Sequence, residues 1–168
     1  PLPPGQVTAN DYLVLFNLQP GTPNADAYEF PGTGGNKSQI AAPLPDPFAG
    51  EDRITITSHT FTFESPGRRF FIIEGPVTYA CNPSAVPPFG TLTRYSGYAI
   101  AAAQPTPPGV APVLLASGVT APCNITYDAN VSAQGAGLLT MSLRLRMQDS
   151  RGDTEDVNLY HAVHVNNV

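Results

Sequence analysis

His161 and His164 stand at H-x-x-H spacing near the end of the chain, and on a helix that spacing would turn both imidazoles toward one metal ion. Their segment, VNLYHAVHV, alternates as a strand does. In a strand, residues three apart point to opposite faces, so the expectation is packed or surface histidines and no shared metal. Asp149, Asp153 and Asp156, with Glu155 beside them, are the alternative metal set, since carboxylates in a turn can supply oxygen ligands to calcium. Their spacing is not that of an EF-hand loop, and a charged turn is ordinarily just solvated. Arg151, Gly152 and Asp153 spell a tripeptide read by some cell-surface receptors, yet Gly and Asp are also what a β-turn selects. Asn124 heads an N-x-T sequon.

Catalytic patterns are missing from the sequence. No G-x-S-x-G elbow presents a serine nucleophile. Glycoside hydrolysis needs two carboxylates in different environments, and Asp46, Glu51, Asp52, Glu64 and Glu74 all fall in turn-rich stretches that rank no pair above another. Gly34, Gly35, Asn36, Lys37 and Ser38 lack the upstream glycine and following helix of a phosphate loop. Ten aromatics, Tyr12, Phe16, Phe61, Phe63, Phe70, Phe71, Tyr79, Tyr95, Tyr98 and Tyr127, would suffice for a carbohydrate platform. There is no Trp, however, and core packing of alternating strand residues explains them more simply. The expectation is no catalytic residue, no metal and no cofactor.

Cys81 and Cys123 each occupy a Pro- and Asn-containing context, ACNPS and APCNIT, with no CxxC pair. An intramolecular disulfide is the preferred reading, and two separate buried thiols the alternative. A bond would close a loop of about 40 residues, worth roughly 4 kcal/mol by chain entropy, and would place the chain in an oxidising compartment. The formal net charge is −5 with only 8 Lys plus Arg, so the basic footprint of a nucleic-acid binder is missing. No apolar run is long enough to span a bilayer, and PLPPGQ at the start carries no leader.

Nineteen prolines and 15 glycines in 168 residues disfavour helices and favour short strands joined by turns. The fold class expected is mainly β, an antiparallel sheet or sandwich forming a single domain over residues 1–168 with long Pro- and Gly-rich loops. YLVLFNL (12–18) reads as a buried strand. Residues 19–50 read as a long surface excursion, with one short helical turn near Asn24 to Tyr28. RITITSHTFTF (53–63) alternates with a phase slip near Ser58 and His59, which predicts a bulge or a break between two strands. RFFIIE (69–74) is apolar on both faces and reads as a central strand. Val77 to Cys81 and Thr91 to Ala99 form a hairpin, while Val113 to Leu115 suits an edge. Over 138–166, Leu139, Met141, Leu143, Leu145 and Met147, then Val157, Leu159, His161, Val163 and Val165, predict a hairpin with one buried apolar face and one solvated polar face.

The block LLTMSLRLRMQDSRGDTEDVNLYHAVHVNNV resembles the end of minor pilins of the mannose-sensitive haemagglutinin (MSHA) type IV pilus, the MshO-like group. DYLVLFNL, NADAYEF, RITITSHTFTFESPGRRFFIIEGPVTYAC, GTLTRYSGYAI and LLASGVTAPCNITYD are similar to the same family in the same order. The family is itself similar to the minor pseudopilins of type II secretion. The resemblance implies a pilin-like head whose N-terminal apolar helix, absent from this chain, anchors it in the inner membrane. It also implies a structural role in priming filament assembly or sitting at the tip, with other minor and major pilins as partners. The implied location is extracytoplasmic, at the periplasmic face of the inner membrane or on the extracellular pilus. The alternative is a surface adhesin module that binds carbohydrate or another surface ligand.

Overall fold

The computed structural model describes residues 7–18, 20–45, 52–65, 67–128 and 136–166. It is mainly β, as the Pro- and Gly-rich composition requires, and no helix occurs among the described residues. Nine strands follow in order: β1 (Tyr12–Val14), β2 (Lys37–Pro45), β3 (Asp52–Ile56), β4 (Phe71–Ile73), β5 (Thr78–Asn82), β6 (Gly90–Tyr95), β7 (Val113–Asp128), β8 (Ala136–Gln148) and β9 (Thr154–Asn166). They divide between two compact units. One runs to Pro76 and includes Ala99–Gln104, and the other comprises Val77–Tyr98 and Pro105–Asn166.

The first unit holds a four-stranded antiparallel sheet in the order β3-β2-β1-β4. Three expectations are corrected here. The excursion expected over 19–50 contains β2, whose Lys37, Ser38 and Ile40 are fully or nearly fully buried. The strand expected to be central at 69–74 is reduced to β4 at the sheet's edge, and Phe70 and Phe71 are exposed. Apolarity on both sides therefore did not mean burial on both sides. The helical turn expected near Asn24 is a series of non-helical turns, because side-chain carboxylates take the amides that a helix would bond. Gly21 N donates to Asp26 Oδ2 at 2.8 Å, Tyr28 N to Asp26 Oδ1 at 2.8 Å, and Asn24 N to Glu29 Oε2 at 2.7 Å.

The stretch 53–63 does break where its phase slips. β3 ends at Ile56, and Thr57 N continues its ladder by one last bond, to Gln39 O at 2.8 Å. Beyond the break there is no second strand. His59 bonds the Gly35 carbonyl at 2.9 Å and lies edge-on to Phe61, while Phe63 packs against Phe16.

The second unit is a five-stranded antiparallel sheet in sequence order, β5-β6-β7-β8-β9. The expected 77–81 hairpin pairs β5 with β6, from Thr78 opposite Tyr95 to Asn82 opposite Thr91. Val113 to Leu115, expected at an edge, begins β7, the 16-residue strand at the middle of the sheet, and at this end β7 pairs with β6 alone, since its register with β8 starts at Val119. β7 carries extra residues against both of its neighbours. Gly90 faces Val119 whereas Thr91 faces Ser117, so Gly118 is the unpaired residue of a bulge. Its φ is +80°, and a Cβ there would lie 2.6 Å from the Arg146 carbonyl oxygen. Only glycine fits both conditions. Gly118→Ala is expected to lower the unfolding free energy by about 2 kcal/mol. Urea denaturation is the check, and an unchanged midpoint would show that the bulge relaxes freely.

On the β8 side, a further irregularity inserts Ala121 and Pro122 between Thr120, opposite Arg144, and Cys123, opposite Leu143. Pro122 lacks the amide a regular ladder needs, which suits it to a bulge. Two extra residues preserve strand parity. Val119, Cys123, Ile125 and Tyr127 therefore share one face with Leu139, Met141, Leu143 and Leu145.

Cys81 and Cys123 form a disulfide with a Cα separation of 6.3 Å, and neither cysteine is left free. These residues lie on β5 and β7, two strands apart in the sheet. Two interstrand spacings of a flat sheet would separate them by roughly 9.6 Å, so the sheet curls at β6 and brings its end strand inward. Ser84 N, just past β5, donates to Val119 O at 3.1 Å across the same curl. Leu92, Val119 and Leu143 form the buried core inside it, with Cys81, Ala116, Cys123 and Leu145 packed against them.

Candidate functional site

The curl explains where the second unit's apolar face is covered and where it is not. Close to β5–β7 the face is folded on itself. Farther out it is open: Val157 and Leu159 on β9, Ile125 and Tyr127 on β7, and Met147 on β8 are all exposed, Met147 to 73%. An apolar groove of about 320 Å³ crosses this face, with Tyr79, Leu92 and Leu115 at one side and Leu139, Met141 and Val163 at the other. Cross-strand pairing builds its floor. Ile125 faces Met141, which faces His161, and Tyr127 faces Leu139, which faces Val163.

The opposite face of the same strands is polar. Thr126 hydrogen-bonds Thr140 at 2.6 Å, Arg144 Nε donates to Asn158 Oδ1 at 2.9 Å, and Arg146 makes a two-pronged pair with Asp156 at 2.6 and 2.7 Å. That hydrogen bond holds the Asp156 carboxyl below the usual carboxylate range, aided by the charges of Arg146 and Arg144. Alternation along β8 thus separates a solvated, ion-paired face from an apolar one that no described element covers completely.

His161 lies on the apolar face as a wall of the groove, and His164, three residues on, lies on the polar face. The two imidazoles are not brought together. Asp149, Asp153 and Asp156 are not assembled either. Asp149 Oδ1 accepts from Arg151 N at 2.8 Å and Asp153 N at 2.9 Å, holding the hairpin turn, and Asp156 is committed to Arg146. Among the described residues, no group of three His, Cys, Asp or Glu side chains could hold a metal ion. The Arg151-Gly152-Asp153 tripeptide is the tip of this turn, with Gly152 at φ +90°. Glu64 and Glu74 are exposed. Asp46 and Glu51 lie outside the described residues.

Core packing does not account for the aromatics as expected. Phe63, Phe70, Phe71, Tyr79 and Tyr127 are exposed, and Tyr79 and Tyr127 belong to the open face. Phe71, Tyr79 and Tyr127 lie on strands while Phe63 and Phe70 do not, and alternation carried no information about whether a second layer covers any of them.

The first unit contains one polar centre that composition did not reveal. Lys37 is fully buried. Its ammonium donates to Ala27 O at 2.7 Å and to Phe30 O, and it sits 5.9 Å from the centroid of Tyr12. Asn17 Oδ1 accepts from Ala27 N at 2.9 Å and from Asn36 Nδ2 at 3.2 Å, closing the same centre. Burial pushes the Lys37 ammonium below the ordinary lysine value, and the charges of Asp26 and Glu29 push back. Both of its known bonds go to backbone carbonyls of the 20–36 loop, so its role is to pin that loop against β1 and β2. No helix in the described residues is long and apolar enough to cross a membrane. The disulfide suits an oxidising, extracytoplasmic compartment. Comparison with protein-family models, with curated proteins and with solved structures returns no match to this chain.

Proposed function

We propose that this chain is the β-rich head of a minor type IV pilin-like protein, acting through protein contacts at the site where pilins assemble. The observation that carries this reading is the open apolar face of the β5–β9 sheet. A contiguous apolar surface of this kind, backed by a solvated face, is the physical form of an interaction surface. The ordered succession of pilin-like blocks from DYLVLFNL to LYHAVHV supports the assignment of the partner class. The disulfide-closed curl supports an extracytoplasmic location at the periplasmic face of the inner membrane or on the filament.

The coding sequence upstream of Pro1 tests the proposal. The expected result is an apolar N-terminal helix preceded by a short basic leader. A leader of another kind, or a different domain in its place, would overturn it. One observation favours a second reading, an adhesin module. Tyr79 lines the open groove and Tyr127 is exposed on the same face, and aromatic rings offer flat apolar faces on which a sugar ring can stack. Binding on a glycan array that is lost in Tyr79→Ala would favour this second reading over the first.

A further inference from the structure

We propose that β9 is a self-pairing edge, and that two copies of this chain join along it into one continuous antiparallel sheet. The inference stands on the strand itself and does not depend on the pilin reading. β9 is the last strand of its sheet. Its 13 residues pair with β8 in unbroken register, from Thr154 opposite Gln148 to Asn166 opposite Ala136. No bulge, proline, glycine or lysine interrupts it. Bulges, proline and lysine are among the devices by which natural proteins keep an edge from pairing; the charges that β9 does carry, Glu155 and Asp156, lie together at its start. Every residue from Thr154 to His164 is exposed, Tyr160 to 73%.

The composition of β9 selects a particular partner. A second strand extends the sheet only if it matches apolar face to apolar face, which excludes every register that pairs an odd position with an even one. Of the remaining registers, the one centred on Tyr160 overlaps the whole strand. It sets Val157 opposite Val163 and Leu159 opposite His161 on the apolar side. On the polar side it sets Asp156 opposite His164, Asn158 opposite Ala162, and Tyr160 opposite its own copy. No like charges meet. Arg146 uses one lone pair of each Asp156 oxygen, and the others remain available to the His164 ring of the second copy. A slip of two positions either way shortens the overlap and separates Asp156 from His164. In the centred register the strand is complementary to itself, which is the requirement of a two-fold interface, and the open apolar face continues from one copy into the next.

Sedimentation equilibrium over rising protein concentration tests the inference, with circular dichroism confirming that each variant is folded. The expected result is a monomer–dimer equilibrium with a doubling of mass. Tyr160→Lys, which sets two ammonium groups against each other at the axis, is expected to weaken the dimer by about tenfold or more. His164→Glu, which faces Asp156 with a second carboxylate, weakens it in the same direction. Because both side chains are exposed, the fold tolerates the changes. A wild-type chain that remains monomeric at the highest concentration overturns the proposal, even if some unrelated strand can occupy the edge. A dimer that neither variant weakens overturns it equally, since that dimer forms elsewhere.

Discussion

Replacing both Cys81 and Cys123 by alanine is expected to lower the unfolding free energy by roughly 4 kcal/mol, the chain-entropy value for a loop of this size; the bond spans a sequence separation of 42. The structural consequence should be uneven. The disulfide ties β5 to β7 across the curl that encloses Leu92, Val119 and Leu143, so losing it releases the place where the described residues of the second unit bury a core. β8 and β9 are paired through local contacts and should persist longest. Chemical denaturation gives the stability change, and amide exchange gives its distribution. A loss below 1 kcal/mol, or uniform deprotection of the hairpin and the curl together, would mean that core packing holds the curl without the bond.

Lys37→Met is expected to cost about 3 kcal/mol, although methionine matches the aliphatic length of lysine. The change leaves the carbonyls of Ala27 and Phe30 buried without their donor, and orphaned acceptors bear the full cost of desolvation. A pH series separates this from a simple packing defect. Burial lowers the Lys37 value in the folded state below the ordinary 10.5, so between the lowered value and 10.5 the unfolded chain binds more protons. Stability due to this group therefore rises as pH increases through that window, and its cost is fully present below it. The stability difference between wild type and Lys37→Met, which cancels the tyrosines common to both, should widen toward alkaline pH. A difference that is flat or narrows would show that desolvation does not dominate at Lys37.

Both effects arise where distant segments meet. Lys37 reaches back to carbonyls at positions 27 and 30, and Cys81 reaches forward to a strand beyond β6. The open apolar face depends instead on local alternation along β7, β8 and β9, which explains why it stood out in the sequence as a pattern. The same pattern was uninformative about its covering. Leu143 is 5% exposed and Leu159, directly opposite it, is 44% exposed. Both obey the same alternation.

Among the chemical candidates, the histidine pair was decided by parity alone: three residues apart on a strand, His161 and His164 had to diverge. The carboxylates of the turn were not so decided, because Asp149 and Asp156 find their partners through the hairpin's closure and register. The Lys37 centre was hidden in a stretch, GGNKS, that reads as a polar turn. A charged residue next to glycine and asparagine ordinarily belongs to solvent, and only the fold of the 20–36 loop around it supplies the carbonyls that make its burial tolerable.

Composition and period-two alternation by themselves determine that this protein is mainly β, that its C-terminal hairpin has two unlike faces, and that His161 and His164 point to opposite faces of their strand. These follow from short-range sterics and from the pleat, which any stretch of the chain expresses on its own. Tertiary structure alone decides that β7 lies at the middle of its sheet, that Gly118 and the Ala121–Pro122 insertion bend it, that Lys37 is buried, and that the apolar face is closed at one side and open at the other. Bulges and curls have no period, and burial is a property of what arrives from elsewhere in the chain, so neither is written at the position where it takes effect.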